Sequence, residues 1–155
     1  MPTLSAGLLI YRRGEGELEV LLVHPGGPFW ANKDEGAWSI PKGEYGLGED
    51  PLQVALREFE EETGKAPPDP AGAEWLGERR QPSGKVVSAW AVEGDVDVRE
   101  VQSNTFEMEW PPRSGRTREF PEVDRAGWFG IEEALSKLHR GQVGFIARLL
   151  EYLEG

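Results

Sequence analysis

The sequence predicts a mixed α/β fold, with helices packed on a mixed sheet, and three observations carry that reading. Apolar runs from Leu4 to Arg12 and from Glu19 to His24 flank a Gly14/Gly16 turn, as in a β-hairpin. A punctuated amphipathic segment follows Asp50. Near the C-terminus, Ile146, Leu149, Leu150 and Leu153 repeat at helical spacing and form an apolar stripe suited to core packing.

Taken in order, Trp38 to Pro41 reads as a short strand that delivers a glycine-rich turn. The next segment carries its own start and stop signals. Asp50 is placed as N-cap, Pro51 occupies the first helical position where its missing N–H does no harm, and Gln53 completes a capping-box-like arrangement. Gly64 stops the helix, with Pro67 and Pro68 beyond it. Leu52, Ala55, Leu56, Phe59 and Thr63 recur every three or four residues and define its buried stripe. Further on, Ala73 to Glu78 and Val86 to Val92 are strands around Pro82-Ser83-Gly84, Ala126 to Phe129 is another strand, and Ile131 to His139 and Val143 to Leu153 are helices. Ser103 to Asp124 is the least regular stretch and reads as a long functional loop.

Composition bounds the chemistry. The 155 residues suit one domain over 1–155 with a sizeable core. With no cysteine, disulfides and thiolate metal sites are excluded, and the two histidines, His24 and His139, are too isolated for a zinc constellation. No basic leader precedes the first apolar run and no apolar stretch approaches membrane-spanning length, so a soluble cytoplasmic protein is expected. A formal net charge of -11 repels polyanions, which argues against long nucleic acid as a partner. The sequence assigns no oligomeric state.

Against this background the helix after Asp50 is conspicuous, because Glu58, Glu60, Glu61 and Glu62 place four carboxylates within five residues. Glu58, Glu61 and Glu62 share one arc of the helix, where like charges repel by a few tenths of a kcal/mol per pair. Glu60 points elsewhere and reads as a solvated acid. Three converging carboxylates make the oxygen-rich environment that Mg²⁺ or Mn²⁺ prefers.

Gly43, Glu49, Arg57, Glu58, Phe59, Glu61, Glu62 and Gly64, at these spacings, resemble the signature of the Nudix hydrolase family. Lys65 departs from it, standing where an aliphatic residue is usual. The resemblance implies an α/β/α sandwich with the motif helix against the central sheet. It implies that Glu58, Glu61, Glu62 and the Gly43 carbonyl hold Mg²⁺ or Mn²⁺, and that Glu49 and Arg57 are structural support linking loop to helix. It also implies a further acid from a later loop, for which Glu122 is the first choice and Glu119, Glu107 and Glu109 are reserves.

The substrate class implied is a small nucleotide, a nucleoside diphosphate linked to another moiety, as in a dinucleoside polyphosphate or nucleoside triphosphate. Hydrolysis of its phosphoanhydride is the expected reaction, with a catalytically silent nucleotide sensor as the alternative. Lys42 and the Arg113, Arg116 and Arg118 loop are candidate phosphate contacts. Trp30, in a Pro/Gly-rich loop, and Trp110 are candidates to stack a base, whereas Trp38, Trp90 and Trp128 are expected in the core.

Overall fold

The computed structural model describes residues 3–155. Eight strands and three α-helices follow one another as β1 Leu4–Arg13, β2 Leu18–Pro25, β3 Lys42–Tyr45, α1 Pro51–Thr63, β4 Glu74–Arg80, β5 Val86–Glu93, β6 Thr105–Glu109, β7 Thr117–Pro121, β8 Val123–Gly130, α2 Ile131–Lys137 and α3 Val143–Glu154. The main sheet runs β4-β5-β1-β2-β8, with β3 also paired to β1. β1 and β5 are parallel and the other ladders antiparallel, so the sheet is mixed as expected.

Successive side chains on β1 point to opposite faces and build two cores. Leu8 and Ile10 join Leu21, Val54, Ala55 and Phe59 under α1. Leu9 and Tyr11 join Leu22, Ile40, Phe145, Ile146 and Leu149 under α2 and α3. The result is an α/β/α sandwich. No helix among the described residues is long and apolar enough to cross a membrane.

Helix α1 starts and stops where its sequence dictates. The Asp50 side chain accepts from the Leu52 N–H at 3.3 Å, Pro51 is the first helical residue, and Gly64 ends the helix in the left-handed region at φ 74°. Gln53 makes no return bond, so the cap is a simple Asp cap rather than a capping box. At the other end the Thr63 hydroxyl donates to the Phe59 carbonyl at 2.7 Å and accepts from the Lys65 N–H, sealing the last turn.

Several expectations are corrected. Trp38 to Pro41 is not a strand: isolated bridges join Val23 to Ser39 and Trp38 to Leu138, and the regular strand begins at Lys42. Ser103 to Asp124 is not irregular, because β6 and β7 pair as a hairpin from Thr105↔Pro121 to Glu109↔Thr117. Helix α2 ends at Lys137, since Leu138 turns extended to meet Trp38. Trp38 is buried as expected, but Trp90 and Trp128 are only partly buried, and Trp128 lends one face to the Arg12 guanidinium at 4.1 Å.

Candidate active site

β1 pairs with β3 through Leu4–Gly7 and with β2 through Tyr11–Arg13, and the acids of α1 gather where the two partners part. Gly43 faces α1 from β3. A Cβ at Gly43 would collide with the Glu58 carboxylate, so only glycine lets that acid lie against the strand backbone. The Glu58 side chain is 17% exposed, and the Arg57 guanidinium stands 3.9 Å from both Glu58 Oε2 and Glu61 Oε1.

Arg57 also reaches Glu49 at 3.6 Å, and Glu49 accepts from the Gly46 N–H at 2.9 Å. The expected loop-to-helix link is therefore present, as an ion pair longer than a hydrogen bond. Half-exposed pairs of this kind are worth at most about 1 kcal/mol.

Glu62 lies one turn beyond Glu58 and accepts from the Lys42 N–H at 3.4 Å. With Lys42, Glu122, Val23, Pro25, Ser39 and Val123 it lines a pocket of about 170 Å³. Burial pushes the Glu62 carboxyl up to about 8, the nearby Lys42 charge opposing. Burial and the facing Glu61 carboxylate push Glu58 up to about 7. Glu122 is raised by burial and then by Glu61, and Lys42 is driven below the usual lysine value by burial and by Lys85. The site thus crowds carboxylates beyond what one lysine neutralises.

Glu122 reaches this pocket through three backbone bonds. The Asn104 N–H donates to the Glu61 carbonyl at 2.8 Å, the Glu122 N–H to the Asn104 carbonyl at 2.9 Å, and the Gly26 N–H to the Glu122 carbonyl at 2.9 Å. A Cβ at Gly26 would collide with the Pro121 carbonyl. The start of β8 is thereby pinned between α1 and the loop after β2, with the Glu122 side chain at the exposed rim.

The loop of residues 26–36 follows directly on Pro25, which lines the pocket. His24, fully buried, ties it down: Nε2 donates to the Lys33 carbonyl at 2.7 Å and Nδ1 lies 2.9 Å from Asp124 Oδ1. Phe29 is 60% exposed and packs edge-on against Trp110 of the hairpin at 5.9 Å. Trp30 is 37% exposed, with Lys33 Nζ 5.0 Å above its ring, whereas Trp110 is half-buried.

The three arginines are not gathered at the pocket. Arg113 and Arg116 occupy the hairpin turn, where the Glu109 carboxylate accepts from the Arg113 and Gly115 N–H groups, and Arg118 lies over Phe120 at 5.7 Å. Glu107 and Glu119 face each other on the exposed hairpin. Sequence reading missed Gly26 and Asn104. The Pro25-Gly26-Gly27-Pro28 run was the one available signal.

Among the described residues no group of three or more acidic or histidine side chains is arranged, as the side chains stand, to hold a metal ion. The donor set nevertheless fits a hard divalent cation: Glu58, Glu61 and Glu62 offer only oxygen, and the Glu58 and Glu62 carboxyls retain protons that a cation would displace.

A mixed sheet held between helices, with an acidic helix laid against a glycine of the strand beside it, defines a class. The NUDIX domain family model matches residues 1–149, and the chain belongs to the Nudix hydrolase family. Its sequence is similar to the asymmetrical bis(5'-nucleosyl)-tetraphosphatase of Caenorhabditis elegans, 41% identical over 58 residues. That match spans 37% of this chain and 38% of the relative's length.

Among solved structures, the Nudix domain of Shewanella oneidensis NrtR complexed with ADP ribose is similar at TM-score 0.68 and 20% identity, over 99% of this chain and 89% of that one. A binary complex of the C. elegans Ap4A hydrolase is similar at TM-score 0.64 and 24% identity, over 99% and 98%. At these identities the structural likeness is one of fold.

Proposed function

We propose that this protein hydrolyses a phosphoanhydride bond in a small nucleotide with Mg²⁺ or Mn²⁺. The observation that carries the reading is Glu58 laid against Gly43 while Glu62 and Glu122 share a pocket with Lys42. Glu58, Glu61, Glu62 and the Gly43 carbonyl are the proposed metal ligands, with Glu122 completing the set from the link between β7 and β8. A bound cation neutralises charge developing on the phosphates and makes a water easier to deprotonate.

The chain's own residues do the rest. Lys42 holds a phosphate oxygen, and its ammonium offsets charge at the pocket floor. Glu122, at the rim and raised above the usual carboxylate value by burial, accepts the proton of the attacking water, a role typically worth about two to four powers of ten in rate. Arg57, 3.9 Å from the Glu58 and Glu61 carboxylates, restricts which way they point.

The substrate is a nucleoside diphosphate linked to another group, with dinucleoside polyphosphates or nucleoside triphosphates foremost. Exposed Phe29 and Trp30 give a stacking wall for a base, and Arg113, Arg116 and Arg118 on the hairpin reach only the distal part of a long polyphosphate substrate. The acidic, cysteine-free composition suits a cytoplasmic location, with neither membrane nor long nucleic acid as partner. Purified protein is assayed against a nucleotide panel with Mg²⁺, Mn²⁺ or chelator, beside Glu62→Gln. Metal-dependent product release, lost in the variant, is expected. No release from any nucleotide with either metal, with the variant indistinguishable, refutes the reading.

A further inference from the structure

We infer that Gln142, at the start of α3 and remote in sequence from the motif, is a positioning residue for the metal site. It acts through the backbone of Ile40. The inference rests on the reading of the Gly43 carbonyl as a metal ligand.

Segment 38–41, which feeds Lys42 and Gly43 into the site, lacks a continuous strand partner, yet its polar backbone groups are taken up one by one. Trp38 donates to the Lys137 carbonyl at 3.0 Å and accepts from the His139 N–H at 2.7 Å. Ser39 exchanges both bonds with Val23, and the Pro41 carbonyl accepts from the Leu8 N–H at 3.1 Å. The Ile40 N–H differs: it donates at 3.0 Å to Oε1 of the Gln142 side chain. Here a side-chain amide stands in for a neighbouring strand.

That amide is itself fixed. Gln142 is 1% exposed, and its Nε2 donates to Gln81 Oε1 at 3.0 Å and to Ser39 Oγ at 3.2 Å. Because the Ile40 N–H can only donate, the amide presents Oε1 to it, and Ser39 Oγ lies 3.3 Å from the same oxygen. Between Ile40 and the metal-site strand stands Pro41, whose ring fixes φ and removes one hinge from the connection. Ile40 thus stands two residues from Lys42 across a link with one fewer free dihedral, which carries part of any shift of its amide toward Lys42 and Gly43.

The test measures Mn²⁺ binding by calorimetry on the metal-free full chain, without turnover, for wild type, Gln142→Met, Gln81→Met and Glu62→Gln. Gln142→Met removes the acceptor of the Ile40 N–H, and Mn²⁺ binding is expected to weaken by about tenfold, the usual scale for loss of a residue that orients a ligand. Gln81→Met removes only the outer partner, leaving Ile40 bonded, and affinity is expected to match wild type even where the melting temperature falls.

Wild-type affinity in Gln142→Met, or equal weakening in both glutamine variants, overturns the inference while leaving the metal site standing. Absence of Mn²⁺ binding in wild type, with Glu62→Gln no different, removes the metal site and this inference together. Should Gln142→Met fail to fold, amide resonances of wild type decide the matter. On Mg²⁺ addition the Ile40 amide is expected to shift together with Gly43, and an Ile40 amide that stays put while Gly43 moves overturns the inference.

Discussion

Raising the pH from 6.5 to 8 in the presence of chelator should destabilise this protein, the reverse of the usual behaviour of carboxylates paired with cations. Glu62 and Glu58 hold protons in the folded chain up to about 8 and about 7, whereas in the unfolded chain both are released near 4.5. The folded state therefore binds more protons across this window, and stability falls as pH rises. Glu62 titrates over about one and a half pH units of the window and Glu58 over about half a unit, at about 1.36 kcal/mol each unit. Their mutual repulsion enters both shifts, which brings the expected loss to about 2 kcal/mol, or about 4–8 °C in melting temperature for a domain of this size.

Two other groups pull the opposite way: His139 and Lys42 are both lowered, first by burial, so each favours the folded state as pH rises. Thermal unfolding with chelator, repeated with Glu62→Gln, reads the effect directly, and the variant should lose more than half of the slope. Saturating Mg²⁺ should reverse the trend, because the cation replaces those protons and stabilises the native state. A metal-free wild type whose melting temperature holds or rises between pH 6.5 and 8 refutes the reasoning.

Gly26→Ala forces the loop after β2 away from Pro121, and should cost about 1–3 kcal/mol by denaturant unfolding. By displacing Glu122 it should also lower kcat by as much as 10²-fold, the order seen for misplacements of about 1 Å; unchanged kcat would remove Glu122 from the chemistry. Arg57→Met, which frees Glu58 and Glu61, should weaken Mn²⁺ binding by roughly tenfold with little change in melting temperature. Phe29→Ala and Trp30→Ala should raise KM with kcat preserved, by roughly 1–3 kcal/mol of lost stacking for a nucleotide substrate; equal KM values would show that the loop does not touch the base.

The motif helix was legible because its signals are local. Asp50, Pro51 and Gly64 each act on the backbone within a residue or two, and the glutamate spacing is visible without knowing the fold. The β6–β7 hairpin was not legible, since most of its side chains are exposed and its short strands present no continuous apolar face. Trp38 to Pro41 misled for the opposite reason: it is apolar and buried like a strand, yet the partner of Ile40 is a side chain about a hundred positions away. The candidate acids and the Glu49–Arg57 link could be named from sequence, but the backbone contacts of Asn104 and Gly26 could not. Asn104 and Gly26 act through N–H and C=O groups that every residue type shares, leaving only a glycine where a Cβ would collide.

Three backbone bonds join Glu61, Asn104, Glu122 and Gly26 in series, and the hairpin of residues 105–121 springs from between Asn104 and Glu122. Its two roots, Asn104 and Glu122, are fastened to each other, so what lies between them can lengthen, shorten or change sequence without tugging on the acids. A hairpin tied off at its base can thus vary at its far turn while the acidic pocket behind it keeps its shape.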